Sequence, residues 1–105
     1  MTNTYLRKKM IFIYEESIRI LLKIHEFHKK NELYKKEDSD PKYFNYFLSA
    51  ITSLNIVDDK ITTLLKKINS YNKKSKIPIK ETQILKLEEI QKKVKSAKEL
   101  EKRFL

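Results

Sequence analysis

The stretch PKYFNYFLSAITSLNIVDDKITTLLKKINSY, from Pro41 to Tyr71, sets Phe44, Phe47, Leu48, Ile51 and Leu54 at helical spacing. It then puts Asp58 where the next apolar residue of the stripe belongs. A carboxylate on a buried stripe is costly unless it is paired. Asn55 with Asp58 three residues on also has the form of a helix start. The reading favoured here is two helices, the second carrying Ile61, Leu64, Leu65, Ile68 and Tyr71. One continuous helix from Pro41 to Tyr71 is the alternative. The choice decides whether the chain holds four helices or three.

Upstream, charged residues recur at Lys8, Glu15, Arg19, Lys23, Glu26 and Lys30, a narrow polar stripe on a helix predicted from an N-cap at Thr4 to about Lys30. Leu6, Met10, Ile13, Tyr14, Ile18, Leu21, Leu22 and Ile24 form a broad apolar surface that suits packing on more than one neighbour. Phe12, Ile20 and Phe27 widen it, and part of that surface is left for a partner. Asn31–Asp40 is polar and ends in Asp40-Pro41, a capping residue followed by a proline suited to the first helical position. Ser70–Ile79 reads as a basic turn, because Asn72, Ser75 and Pro78 disfavour helix. A last helix from about Lys80 carries Ile84, Leu87, Ile90, Val94 and Ala97 on one face and is expected to fray after Lys98, with Phe104 and Leu105 free to dock or to reach a partner. Short turns between such helices imply one all-α domain over residues 1–105. It is expected to be an antiparallel four-helix bundle, or three long helices if the middle pair is fused.

Composition narrows the function. The 105 residues include no glycine, no cysteine and two prolines, Pro41 and Pro78. Phosphate-cradling loops and tight hairpins need glycine, and disulfides and thiolate metal sites need cysteine. The cytoplasm is the expected compartment. Met10–Ile24 is broken by Glu15, Glu16, Arg19 and Lys23, so neither a membrane span nor a signal peptide is expected, and the mature chain is expected to start at Met1. Net charge is +10, with ten basic and seven acidic residues in 1–53 against fourteen and seven in 54–105. Lys66, Lys67, Lys73, Lys74, Lys76 and Lys80 fall in a stretch with no acid, attractive to nucleic acid, anionic headgroups or an acidic protein. The same lysine excess is what an AT-rich genome produces.

Catalytic constellations are weak. His25, His28 and Glu32 share helical spacing, but a bundle metal site draws on Glu-x-x-His pairs from facing helices, which the chain lacks, and the histidines read as partly exposed at a helix end. Arg19 and His25 are similar in spacing to the Arg-x(4 to 6)-His motif of a family of helical ribonucleases, with core residues Ile20, Leu21 and Leu22 between them. Adjacent carboxylates such as Glu15-Glu16 point apart on a helix. Tyr43, Phe44, Tyr46 and Phe47 read as packing, Phe44 and Phe47 on the core stripe and the tyrosines along an edge that flanks a groove. No catalytic residue, metal, cofactor or small-molecule substrate is expected. The candidate partner-binding residues are Lys73, Lys74, Lys76, Lys80, Phe104 and Leu105. The partner is expected to be a protein, with peripheral membrane contact left open and nucleic acid less favoured, because lysines without arginines give charge without bidentate recognition.

Asp40-Pro41-Lys42-Tyr43, the pattern Ile61, Leu64, Leu65, Ile68, the pair Lys76-Ile77 and the run Leu87, Ile90, Val94 together resemble the immunity proteins against pediocin-like bacteriocins. The resemblance implies a basic cytoplasmic four-helix bundle without enzyme activity. Such proteins shield the sugar-transporter receptor once the bacteriocin has engaged it. It also implies that specificity lies after about Lys80, including Phe104 and Leu105. A second likeness competes: Ile13-Tyr14-Glu15-Glu16-Ser17-Ile18-Arg19 resembles the first helix of flagellar export chaperones, which implies a module that binds an amphipathic segment. A basic nucleic-acid-binding regulator is the third reading, on charge alone. A helix-binding module should have an exposed apolar groove, a nucleic-acid binder a contiguous basic face, and an immunity protein a closed bundle with a basic end.

Overall fold

The computed structural model describes residues 2–33 and 41–105. Three α-helices follow in order: α1 (Asn3–Lys30), α2 (Phe44–Lys74), preceded by a single 3-10 turn at Pro41–Tyr43, and α3 (Glu81–Lys102). The chain runs up, down and up, so that α2 is antiparallel to both neighbours. Asn3 at the start of α1 meets Ile77 in the α2–α3 turn, and His28 near the end of α1 meets Glu101 near the end of α3. The bundle measures 54 × 18 × 17 Å.

The expected break after Leu54 does not occur. Asp58 stays within α2 and is buried, because α3 supplies what a carboxylate on a core stripe requires: Gln91 Nε2 donates to it at 2.8 Å and Lys98 Nζ at 3.3 Å. Gln91 Nε2 also donates to Thr62 Oγ1 at 2.9 Å, one turn along α2. The middle pair is therefore one helix, and among the described residues there are three α-helices where four were expected.

Helix ends shift for local reasons. The N-cap of α1 is Thr2, not Thr4: its Oγ1 accepts from the Tyr5 N–H at 3.1 Å, and Thr4 lies inside the first turn. Its last turn carries Lys29 and Lys30, whose charges offset the negative end of the helix dipole. Past the Asn31 cap the backbone reverses through Glu32 at φ 54°, the left-handed conformation usually given to glycine, and this seats Leu33 in the interior. The expected cap at Asp40 lies outside the described residues. α2 continues to Lys74, past the expected turn start at Ser70. Asn72 does not break it, because its side chain reaches forward to the turn, accepting from Ile79 N–H at 2.8 Å and donating to Ile79 O at 3.4 Å. Instead of fraying after Lys98, α3 runs to Lys102, held there by buried Glu101.

The core is a column of aliphatic side chains. Leu6, Met10, Ile13 and Ile24 enter it from α1, Leu54, Val57, Ile61, Leu64 and Ile68 from α2, and Leu87, Ile90 and Val94 from α3, with Ile79 closing one end. An aromatic cluster closes the other. Phe27 stacks on Tyr46 with ring centroids 3.5 Å apart, Phe47 stacks on Phe104 at 4.8 Å, and the His28 ring lies against Phe104 at 5.2 Å. Tyr43 O–H donates to Asn31 Oδ1 at 3.3 Å, tying the start of the second helical segment to the end of the first. The expected edge of Tyr43 and Tyr46 thus packs onto α1, both rings lying against Phe27. Phe44 and Leu48, placed on the core stripe by spacing, are exposed, because the buried face of α2 runs through Phe47, Ala50, Leu54, Val57 and Ile61 and leaves them beside it.

Candidate functional site

The residues singled out by sequence fall at opposite ends of the bundle. Lys73, Lys74, Lys76 and Lys80 are exposed around the α2–α3 turn. Phe104 is partly buried at the far end, stacked on Phe47, where it completes the aromatic cluster, and Leu105 is exposed. The six do not form one site.

A larger feature lies between α1 and α3, where the helices part over a cavity of about 740 Å³. One wall is a second stripe of α1: Arg7, Ile11, Tyr14, Ile18 and Leu22, with Met10 at its base and Glu15 and Arg19 along its edge. Gln83, Lys86 and Leu87 of α3 form the opposite wall. Ile11 and Leu22 are 60% and 54% exposed, although the spacing of the stripe is that of a helix–helix seam. Tyr14 and Leu22 were expected in the core. They are open because the buried face of α1, running Leu6, Met10, Ile13, Ser17, Ile24 and His28, already meets both neighbours. Ser17 is accommodated there by donating to Ile13 O at 2.7 Å. The second stripe therefore has no partner helix within the described residues. From Arg7 to Leu22 it spans roughly 22 Å at the α-helical rise, about four turns.

The rim charge is one-sided. Arg7, Arg19 and Lys86 line the groove against a single acid, Glu15. Gln83 adds a buried Oε1 with no hydrogen-bond partner among the described residues. Arg19 belongs to this groove and His25 lies outside its lining, so the two are not brought together in a shared cleft.

His28 is not the partly exposed helix-end residue expected. It is fully buried, with Nε2 2.5 Å from Glu101 Oε1, whose side chain is equally shielded. Burial pushes the Glu101 carboxyl above its ordinary range, and the charge and hydrogen bond of His28 pull in the opposite direction. His25 and Glu32 are exposed, and among the described residues no three His, Cys, Asp or Glu side chains are grouped to hold a metal ion. No helix among the described residues is long and apolar enough to cross a membrane.

Set against family models, curated proteins and solved structures, the chain finds no match.

Proposed function

We propose that this protein is a non-catalytic binding module that captures an amphipathic helix of a partner protein in the groove between α1 and α3. The observation that carries the reading is the open, four-turn apolar seam on α1. It has the residue spacing, the length and the facing wall on α3 that a fourth helix would use, so that capture would complete a four-helix bundle. The occupant's character follows from the rim: Arg7, Arg19 and Lys86 favour a helix with acidic residues beside its apolar face. They also disfavour a second copy of this chain, whose net charge is +10. The cytoplasm is the compartment this reading assumes, in keeping with a chain without cysteine.

Bacteriocin immunity remains a proposal on the residues that resemble that family. It calls for a closed bundle, and the open groove turns the choice toward helix capture.

The test is an NMR titration of isotope-labelled protein with two designed amphipathic peptides, each with a leucine face, one edged with glutamate and the other with lysine. The glutamate-edged peptide should shift the amides of Ile11, Tyr14, Ile18 and Leu22 and bind more tightly than the other, and Leu22→Glu should remove the effect. Equal binding of the two peptides, or no shift with either, overturns the reading. So does self-association of the chain that Leu22→Glu abolishes.

A further inference from the structure

The turn between α2 and α3 holds an apolar side chain out to solvent on a backbone fixed from three sides. Ile77 is 71% exposed, the most open large apolar residue among those described. Its carbonyl accepts from Asn3 Nδ2 at 3.0 Å, Tyr71 O–H at 3.1 Å and Ser75 Oγ at 3.2 Å, while its own N–H donates to Ser75 Oγ at 3.1 Å. Two residues on, Ile79 is buried and clamped through its backbone by Asn72. The turn thus sorts its two isoleucines, one inward as an anchor and one outward, with no glycine to loosen it.

The turn itself is basic, and Glu81, exposed at the start of α3, is the first acid after it. Lys73, Lys74, Lys76 and Lys80 are exposed about Ile77, and no acid occurs between Lys66 and Lys80. The Asn3 hydrogen bond brings the start of α1 to the same end, where Tyr5 is exposed with Lys9 Nζ 5.8 Å from its ring centroid.

We propose that this end of the bundle docks peripherally on an anionic lipid bilayer, with Ile77 entering the boundary between headgroups and acyl chains and the lysines meeting the headgroups. A projecting aliphatic tip has no aromatic face on which a base could stack, and lysine ammonium groups act as point charges without the planar fork that reads a particular phosphate. A diffuse negative surface over an apolar layer fits both features, and an exposed tyrosine suits the same depth. The inference is independent of the groove, which lies along the side of the bundle.

The chain contains no tryptophan, so Ile77→Trp supplies a single fluorescent reporter. Its emission should move to the blue on adding vesicles of phosphatidylcholine with phosphatidylserine, and not on adding phosphatidylcholine alone. In co-sedimentation, Lys73→Gln, Lys74→Gln and Lys76→Gln should each lower partitioning about fivefold. Ile77→Asp should lower it roughly tenfold or more, while Leu22→Glu, on the groove, should leave it unchanged. Emission unmoved by anionic vesicles overturns the proposal, as does Ile77→Asp sedimenting like the unaltered protein. A blue shift produced by a single-stranded oligonucleotide and not by vesicles overturns it in favour of nucleic acid.

Discussion

His28 and Glu101, 73 positions apart in the chain, meet 2.5 Å apart inside the bundle, and neither side chain reaches solvent. The pair joins the last turn of α1 to the last turn of α3 and sits under the Phe47–Phe104 stack. With the Glu101 carboxyl raised above its ordinary value of 4.5, the folded protein, between 4.5 and that raised value, holds a proton that the unfolded chain has released. Stability contributed by this group is therefore full below 4.5 and falls as pH rises through the folded value. Glu101→Gln should raise the melting temperature near neutral pH, with the gain shrinking as the pH is lowered through the folded value and gone below 4.5, followed by circular dichroism across a pH series.

Asp58 is stabilised by its partners rather than by its position. Asp58→Ala leaves Gln91 and Lys98 short of an acceptor in a partly buried site and should cost about 1–3 kcal/mol in urea unfolding. The double change Asp58→Leu with Lys98→Met, which removes both charges, should recover most of that loss.

Glu32 occupies the left-handed backbone region at φ 54° just beyond the end of α1. Glu32→Gly removes the steric penalty of a side chain there and should stabilise the protein by about 1 kcal/mol. That gain should appear as a higher denaturation midpoint with an unchanged slope.

The C-terminal ring is structural. Phe104→Ala should cost about 1–3 kcal/mol, because it opens the stack over Phe47 and uncovers the His28–Glu101 pair. Leu105→Ala, at a residue 49% exposed, should change stability by less than about 0.5 kcal/mol. Thermal melts of the two variants separate a docked tail from a free one.

Much of the architecture was legible from spacing alone. The α3 stripe of Leu87, Ile90 and Val94 and the α2 stripe of Leu54, Ile61, Leu64 and Ile68 are buried as their periodicity implies. What spacing could not supply was any fact that depends on a second helix. Asp58 reads as a break until Gln91 and Lys98 are known to face it, and His28 reads as exposed until Glu101 is known to reach it. The candidate site was missed for a related reason. α1 is apolar over so much of its surface that period alone cannot tell which stripe its neighbours cover, and nothing in the spacing marks Ile11 apart from its neighbours. The available signal was the regular series Arg7, Ile11, Tyr14, Ile18, Leu22, one position out of phase with the stripe that is buried. The basic turn was legible from composition, whereas the outward placement of Ile77 depends on hydrogen bonds from Asn3, Tyr71 and Ser75.

The two stripes of α1 meet at Met10 and at Ile18, which lines the groove and also packs against the core. Substitutions at Arg7, Ile11, Tyr14 and Leu22 leave the hydrophobic column almost untouched, so the choice of ligand can drift over generations without a matching loss of foldedness. A helix arranged in this way separates two selective pressures that a single apolar face would force into conflict.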